Sequence, residues 1–226
     1  MNYKTSLERN TDYLNSFGEH DLLKSLVSDR PVILDVGADR GQSYHSLRSI
    51  WPQADIYSIE PRKEAYNECR KENLNSFNVA FGAYDGSDTL YVNSHQPMLS
   101  SFIPINVNSK DSIDLSENKT DILQYTTEKV KVMRMDAFVG YDLPVEVIKM
   151  DCQGYEDQIL SGGRQTVSKA KVVITEIMLY DLYEKSSSFS NIEQHLPGYR
   201  LVDIGYTSRN PMTGMIDWVD AIYAKV

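Results

Sequence analysis

The sequence predicts an α/β protein with a doubly wound, mostly parallel central sheet that ends in an antiparallel hairpin. Short apolar runs alternate with helical segments through the first half of the chain and again in 146–177, as a parallel sheet requires. Two β-rich runs, 199–206 and 218–226, are joined by a turn containing Gly, Pro and Asn, which indicates a hairpin. With 226 residues, of which 41% are apolar, we expect residues 1–226 to form one large domain.

The first half of the chain contains three predicted strands and the helices between them. Residues 31–36 are short, apolar and β-branched without alternation, as in a strand covered on both faces. Residues 12–29 suggest two short helices, so we expect 1–30 to be a helical cap over a ligand or a packing layer. The elements expected next are a helix at 42–50, a strand at 54–59, a helix at 63–73 and a third strand around 77–81.

The middle of the chain has weaker patterning. Residues 89–92 are predicted as a strand, but 93–128 is rich in Ser, Asn, Asp and Gln. This composition fits an irregular insertion, either a lid or an unstructured loop, and 111–124 is the part expected to be flexible. The later elements expected are a strand edge at 130–133, a buried strand at 146–150, a helix at 155–170 interrupted by Gly162 and Gly163, a strand at 171–177 and a short helix at 192–196.

Composition excludes several classes of partner. The net charge of -9 repels polyanions, so neither nucleic acid nor a membrane is an expected partner. No apolar run reaches the roughly eighteen residues of a membrane span, and the N-terminus lacks a secretion signal, so we expect a cytoplasmic protein. Cys69 and Cys152 are far apart and belong to no Cys/His cluster, which predicts reduced thiols and no metal site. A small neutral substrate is favoured, and the oligomeric state is left open.

The segment 35–41, Asp-Val-Gly-Ala-Asp-Arg-Gly, follows the first strand and is the most informative part of the chain. Gly37 and Gly41 allow the backbone to turn sharply and to lie against a ligand before a helix begins. Glu60 ends the second strand, where a carboxylate can accept hydrogen bonds from both hydroxyls of an adenosine ribose. A tight turn would explain the glycines alone, but with Glu60 the pattern indicates a nucleotide-binding corner.

Three carboxylates, Asp151, Glu156 and Glu176, stand at or near the ends of later strands. The ligand crevice of an open α/β sheet lies outside the carboxyl ends of its strands, so we expect all three to face the same cleft as Gly37 and Glu60. For each, a helix cap or a structural hydrogen-bond acceptor is the alternative. No hydrolase elbow, phosphate-binding loop or zinc-protease helix occurs in the sequence.

These residues resemble a known family. The segment 35–42 is similar to the first motif of class I S-adenosylmethionine-dependent methyltransferases, and 147–156, Val-Ile-Lys-Met-Asp-Cys-Gln-Gly-Tyr-Glu, resembles the more specific second signature of the FkbM methyltransferase family. The resemblance extends from about Val32 to the C-terminus. It implies the Rossmann-like class I methyltransferase fold, with a mostly parallel sheet of about seven strands, an antiparallel C-terminal hairpin and helices on both faces.

The sequence departs from the family pattern in three places. Asp39 stands where Asn is usual, Ala83 where an acid is frequent, and Cys152-Gln153 where Val-Glu is usual. Asp39 has no amide donor for the carboxylate of a cofactor, and Gln153 is too weak a base to accept a proton.

The resemblance implies S-adenosylmethionine as the cofactor. Gly37 and Gly41 would then lie under its methionine part, Glu60 would hold the ribose, and residues 78–81 would line the adenine. A cleft ringed by Asp35, Asp39 and Asp151 would favour a sulfonium cation over a pyrophosphate. The cofactor-binding residues implied are Asp35, Gly37, Ala38, Asp39, Gly41, Gln42, Ser43, Glu60, Pro61, Asn78, Ala80 and Asp151.

The expected function is methyl transfer to a hydroxyl of a small molecule or a sugar, because the FkbM family commonly methylates hydroxyls of secondary metabolites and glycans. Asp151 is the first candidate for the base that takes the hydroxyl proton, followed by Glu156 and Glu176. A divalent metal shared by two of these acids is compatible with the residues but not required. Two alternatives stay open: an NAD-dependent oxidoreductase, and a non-catalytic cofactor-binding module of the same fold.

Overall fold

The computed structural model describes residues 17–108, 124–210 and 213–225, and their strands form two sheets. The strands are β1 (Val32–Val36), β2 (Asp55–Ile59), β3 (Ser76–Phe77), β4 (Ala80–Phe81), β5 (Gly86–Asn93), β6 (Tyr125–Met133), β7 (Val145–Met150), β8 (Val172–Met178), β9 (Tyr199–Arg209) and β10 (Ile216–Lys225). The helices are α1 (His20–Leu26), α2 (Gln42–Ile50), α3 (Lys63–Lys71), α4 (Met135–Val139), α5 (Glu156–Ser161), α6 (Arg164–Lys169) and α7 (Phe189–Glu193), with one 3-10 turn at Pro97–Leu99.

The central sheet has seven strands in the order β3-β2-β1-β7-β8-β10-β9. The first five strands in this order, β3, β2, β1, β7 and β8, are parallel, and β10 pairs antiparallel with both β8 and β9. This confirms the predicted mostly parallel sheet with its C-terminal hairpin. The chain runs from β1 outward to β2 on one side, while β7 lies on the other, so the strand order reverses beside β1. Such a switch point opens a crevice at the carboxyl ends of the strands.

Helices pack on both faces of this sheet. All five residues of β1 are buried, and they alternate between two apolar cores: Ile33 contributes to the core beneath α2, and Leu34 to the core beneath α5. Leu47 of α2 and Leu160 of α5 are fully buried in these two cores. The unalternating apolar run that predicted β1 therefore reflects burial on both sides.

Two strand predictions were wrong in detail. The third strand expected at 77–81 is two short strands, since β3 joins the central sheet while β4 pairs with β6 in a three-stranded sheet of order β4-β6-β5. The edge expected at 130–133 is the end of the nine-residue β6, which lies in the middle of that small sheet. The first residues of β6 are polar and exposed, so they carry no apolar pattern. Most of the segment expected to be flexible, 111–123, lies outside the described residues.

The helix predicted at 155–170 is divided into α5 and α6 at the two glycines, as their position indicated. A Cβ at Gly162 would lie 2.0 Å from the backbone oxygen of Gly82, so close packing explains this glycine. Of the two helices expected in 12–29, α1 is present, and 12–16 lies outside the described residues. In the ranges that the structure describes, every helix falls short of the length and hydropathy that a bilayer span needs.

Candidate active site

A cavity of about 640 Å³ opens at the carboxyl ends of β1, β2, β7 and β8. It extends from the loop between β1 and α2 to the acids that follow β7 and lie on β8. The structure brings ten of the residues singled out from the sequence to its wall: Gly37, Ala38, Asp39, Gln42, Ser43, Glu60, Pro61, Ala80, Asp151 and Glu176. Four others, Asp35, Gly41, Asn78 and Glu156, do not line it.

The two glycines of the corner are required by contacts within the protein. A Cβ at Gly37 would lie 1.9 Å from the backbone oxygen of Asp151, and Gly37 has a φ of +76°. A Cβ at Gly41, with a φ of +92°, would lie 2.6 Å from Leu74 Cδ1. The contact of these two glycines with a cofactor stays a prediction. Gly37 also brings the loop after β1 into contact with the end of β7, which places Asp151 beside the glycine corner.

Glu60 lies at the cavity wall with spare capacity to accept hydrogen bonds. Its Oε2 accepts from the Asp39 N–H at 2.9 Å, and its Oε1 accepts from the Arg62 N–H at 2.8 Å. An ionised carboxylate has about four lone-pair positions, so two stay available to hydroxyl donors. Burial raises the pKa of Glu60 to about 7, and the opposing charge of Arg62 only partly offsets this. Asn78 lies behind this corner, where its amide donates to the backbone oxygens of Glu60 and Pro61.

The glycine corner is less acidic than its sequence suggests. Asp39 forms an ion pair with the buried guanidinium of Arg62, whose Nε also lies 3.7 Å from Glu60 Oε1. Asp35 is fully buried, accepts a hydrogen bond from Ser43 Oγ at 2.7 Å and lies 3.5 Å from the ammonium of Lys149. The predicted ring of three acids is therefore wrong in one member: Asp39 and Asp151 line the cavity, whereas Asp35 is buried behind it, and Arg62 and Lys149 offset part of the negative charge.

Arg62 and Lys149 were not identified from the sequence as partners of these acids. Arg62 follows Glu60 by two residues, and Lys149, on β7, precedes Asp151 by two residues. Side chains two residues apart on a strand point to the same face, which was a usable signal for Lys149.

The acids that face the cavity form a cluster near the carboxyl ends of β7 and β8. Asp151 follows β7, Glu176 lies on β8, and Asp220 lies directly opposite Glu176 on β10. The side-chain amide of Gln153 donates to Asp151 Oδ1 at 2.9 Å and to Glu176 Oε1 at 3.3 Å, and Lys149 Nζ lies 3.9 Å from Asp151 Oδ2. Burial and the negative charges of Asp151 and Asp220 raise the pKa of Glu176 well above its ordinary value.

The carboxylate of Glu156 accepts hydrogen bonds from the backbone of the loop that carries Asp151. Its Oε1 accepts hydrogen bonds from the backbone N–H groups of Cys152 at 2.8 Å and Gly154 at 3.3 Å. The loop exposes these amides to Glu156 because Gln153 and Gly154 adopt φ values of +56° and +90°. Burial raises the pKa of Glu156 to about 7. The prediction that Glu156 faces the cleft is wrong, since its carboxylate points into the loop that carries Asp151.

One wall of the cavity comes from the stretch that the sequence left unassigned. Residues 95–102, including the 3-10 turn, line it. Ser101 Oγ donates to the backbone oxygen of Gln153 at 2.9 Å, and the hydroxyl of Tyr183 lies 2.9 Å from Gln153 Oε1 and 3.0 Å from the backbone oxygen of Leu99. This part of 93–128 is therefore an ordered wall bonded to the loop beside the acids. Among the described residues, no group of three His, Cys, Asp or Glu side chains is arranged to hold a metal ion.

Comparison with known proteins agrees with this architecture. A family model described as the Methyltransferase FkbM domain matches residues 35–201. The chain is 25% identical over 184 residues to the 2-O-methyltransferase NoeI of Sinorhizobium fredii, covering 76% of this chain and 73% of that protein.

Solved structures show the same fold. A methyltransferase FkbM from Methylobacillus flagellatus superposes with a TM-score of 0.55 at 15% identity, over 89% of this chain but only 45% of that one, so this chain spans less than half of that protein. The plantazolicin methyltransferase BpumL, solved with a desmethylPZN analog and S-adenosylhomocysteine, superposes with a TM-score of 0.52 at 13% identity over 96% of this chain and 84% of that one. The family match, together with the relative from Sinorhizobium fredii, contradicts the oxidoreductase alternative. The chain belongs to the FkbM family of S-adenosylmethionine-dependent methyltransferases.

Proposed function

We propose that this protein transfers the methyl group of S-adenosylmethionine to a hydroxyl oxygen of a small molecule or a sugar. The observation that carries the proposal is that one cavity joins Glu60 and the glycine corner to Asp151. The name of the relative from Sinorhizobium fredii, a 2-O-methyltransferase, supports oxygen as the methylated atom.

The residues of the corner fit the cofactor. Glu60 has two lone-pair positions for the ribose hydroxyls, and Ala80 and Phe81 offer an apolar wall for the adenine. Asp151, whose backbone oxygen lies against Gly37, supplies a carboxylate to the same cavity. Bound S-adenosylmethionine would supply an activated methyl carbon, so the protein has to hold an acceptor oxygen in line with the carbon–sulfur bond.

Asp151 is the base in this proposal. It lies in the cavity with 27% of its side chain exposed, and Gln153 and Lys149 present N–H groups to it. Glu176 is a hydrogen-bonding partner for the acceptor, since it lies at the cavity wall, where burial raises the pKa of its carboxyl group well above the ordinary value. Glu156 takes no part in proton transfer, since its carboxylate is bonded to the backbone of the loop. A positioned base accelerates such a step by roughly a hundredfold or more.

The test uses the purified protein with labelled S-adenosylmethionine and a panel of hydroxyl compounds. We expect methylated product, and S-adenosylhomocysteine binding by calorimetry. The Asp151→Asn variant should lose roughly a hundredfold in kcat while its affinity for S-adenosylhomocysteine changes by less than about tenfold. Absence of any cofactor binding would contradict the proposal. Cofactor binding with no turnover on any compound, unaffected by the variant, would instead identify a non-catalytic binding module.

A further inference from the structure

The cavity continues beyond the acids onto three aromatic side chains, Tyr180, Tyr206 and Trp218, which we call the aromatic surface. All three line the cavity and are partly exposed. The ring centroids of Tyr180 and Trp218 are 6.2 Å apart at an interplanar angle of 35°, and those of Tyr206 and Trp218 are 6.5 Å apart at 42°. No part of the proposed cofactor site uses these residues. They line a part of the cavity that the proposed cofactor site does not use.

The strand register places this surface next to the acids. Asp220 lies opposite Glu176, and Trp218 lies opposite Met178, in the antiparallel pair of β10 and β8. Residues two positions apart on a strand share a face and are separated by about 6.6 Å. Asp220 and Trp218 are thus successive side chains on the cavity side of β10. A ring that lies over Trp218 would present its edge to Asp220, Glu176 and, beyond them, Asp151.

The chemistry of this wall suits a saturated ring that carries hydroxyl groups. An aromatic face packs against the C–H face of such a ring, while carboxyl groups at its edge form hydrogen bonds with the hydroxyls. A flat aromatic acceptor would use the rings but would offer the acids fewer hydroxyl groups than a saturated polyhydroxylated ring does.

We propose that the aromatic surface binds a neutral pyranose ring of a glycoside, stacked on Trp218, with Glu176 and Asp220 bonded to the hydroxyls beside the one that reacts at Asp151. This inference rests on the proposed function and specifies its acceptor. Trp218 is then a binding residue for the acceptor and has no contact with the cofactor.

The experiment uses tryptophan fluorescence of the protein loaded with S-adenosylhomocysteine. The chain has two tryptophans, and Trp51 is 2% exposed in the core on the α2 side of the sheet. A ligand in the cavity should therefore change the emission of Trp218 alone. The probes are methyl glycosides of the common neutral hexoses, with glucosamine as the cationic comparison and catechol as the flat aromatic one.

We expect a saturable fluorescence change with at least one methyl glycoside. Trp51→Phe should keep this change and Trp218→Phe should remove it. By saturation-transfer NMR with the same glycoside, Trp218→Ala should bind it roughly tenfold more weakly, while Trp218→Phe should keep most of the affinity because it keeps an aromatic face.

Three results would overturn the inference: no saturable response to any methyl glycoside, a response that persists in Trp218→Phe, or binding confined to glucosamine or catechol. Calorimetry with S-adenosylhomocysteine on each variant separates the two proposals. If the wild-type protein fails to bind it, the proposed function fails. If binding is normal but the glycosides give no response, only the assignment of the aromatic surface fails.

Discussion

The burial of Glu60 predicts that cofactor binding depends on pH near neutrality. Burial raises the pKa of its carboxyl group from 4.5 to about 7, although Arg62 lies close by. In the proposed complex both ribose hydroxyls donate to this group, which requires the ionised form. With a pKa of 7, the ionised fraction falls about tenfold between pH 8 and pH 6. The affinity for S-adenosylhomocysteine should therefore fall by up to about tenfold over this interval. The fall is smaller to the extent that Arg62 and the bound ligand stabilise the ionised form of Glu60.

Stability of the free protein should show the opposite trend. Because the pKa of Glu60 is higher in the folded protein than in the unfolded chain, its contribution to stability is present below about pH 4.5 and is lost as pH rises through 7. The full rise in pKa corresponds to about 3 kcal/mol. Because the affinity for S-adenosylhomocysteine is higher at pH 8, the increase in Tm that this ligand causes should be larger at pH 8 than at pH 6.

Isothermal titration calorimetry between pH 5.5 and 8.5 measures the first effect directly. The matched control is Glu60→Gln, which keeps one acceptor oxygen but cannot ionise, so its affinity should be weaker at pH 8 and independent of pH. An affinity of the wild-type protein that stays constant from pH 8 to pH 6, or a variant that keeps the pH dependence, would refute the assignment of Glu60 to the ribose.

Three further predictions concern neighbouring residues. Asp39→Asn removes a negative charge that raises the pKa of Glu60, and it releases Arg62 to pair with Glu60. The pH midpoint of S-adenosylhomocysteine binding, measured by calorimetry, should therefore move down. An unchanged or higher midpoint would contradict this. Glu156→Gln keeps the acceptor for the loop amides but loses the buried charge, so it should retain kcat. It should gain up to about 2 kcal/mol of stability at pH 8.5 and much less at pH 5, measured by urea denaturation. A loss of kcat as large as that of Asp151→Asn would make Glu156 a base after all. Gly37→Ala should destabilise by clearly more than Gly198→Ala in the same assay. Both glycines have positive φ, which costs about 1 to 2 kcal/mol with a side chain, but only at Gly37 would the Cβ meet backbone, 1.9 Å away; equal losses would show that the contact with Asp151 is unimportant.

The central sheet was predictable because its parallel strands are buried on both faces and therefore have unalternating apolar sequences, as in β1. The small sheet was not, because β6 begins with polar, exposed residues and β4 has only two residues. Such short or polar strands are held by their pairing partners, which a local pattern does not reveal.

For the site, position at a strand end was sufficient to bring Glu60, Asp151 and Glu176 to one cavity. It failed for Glu156, because the direction of that side chain depends on the left-handed conformation of Gln153 and on the amides this exposes. The aromatic surface was not predicted from the sequence for a related reason. Its residues are distant in sequence, and only the register of the C-terminal hairpin against β8 brings them together.

A crystal structure of the protein with S-adenosylhomocysteine bound would show directly whether the cavity holds the cofactor as proposed. We expect the ribose hydroxyls to bond to the Glu60 carboxylate, the adenine to lie against Ala80 and Phe81, and the sulfur to face Asp151 with open cavity between them. A cofactor bound with its ribose away from Glu60, or with its sulfur turned away from Asp151, would contradict it.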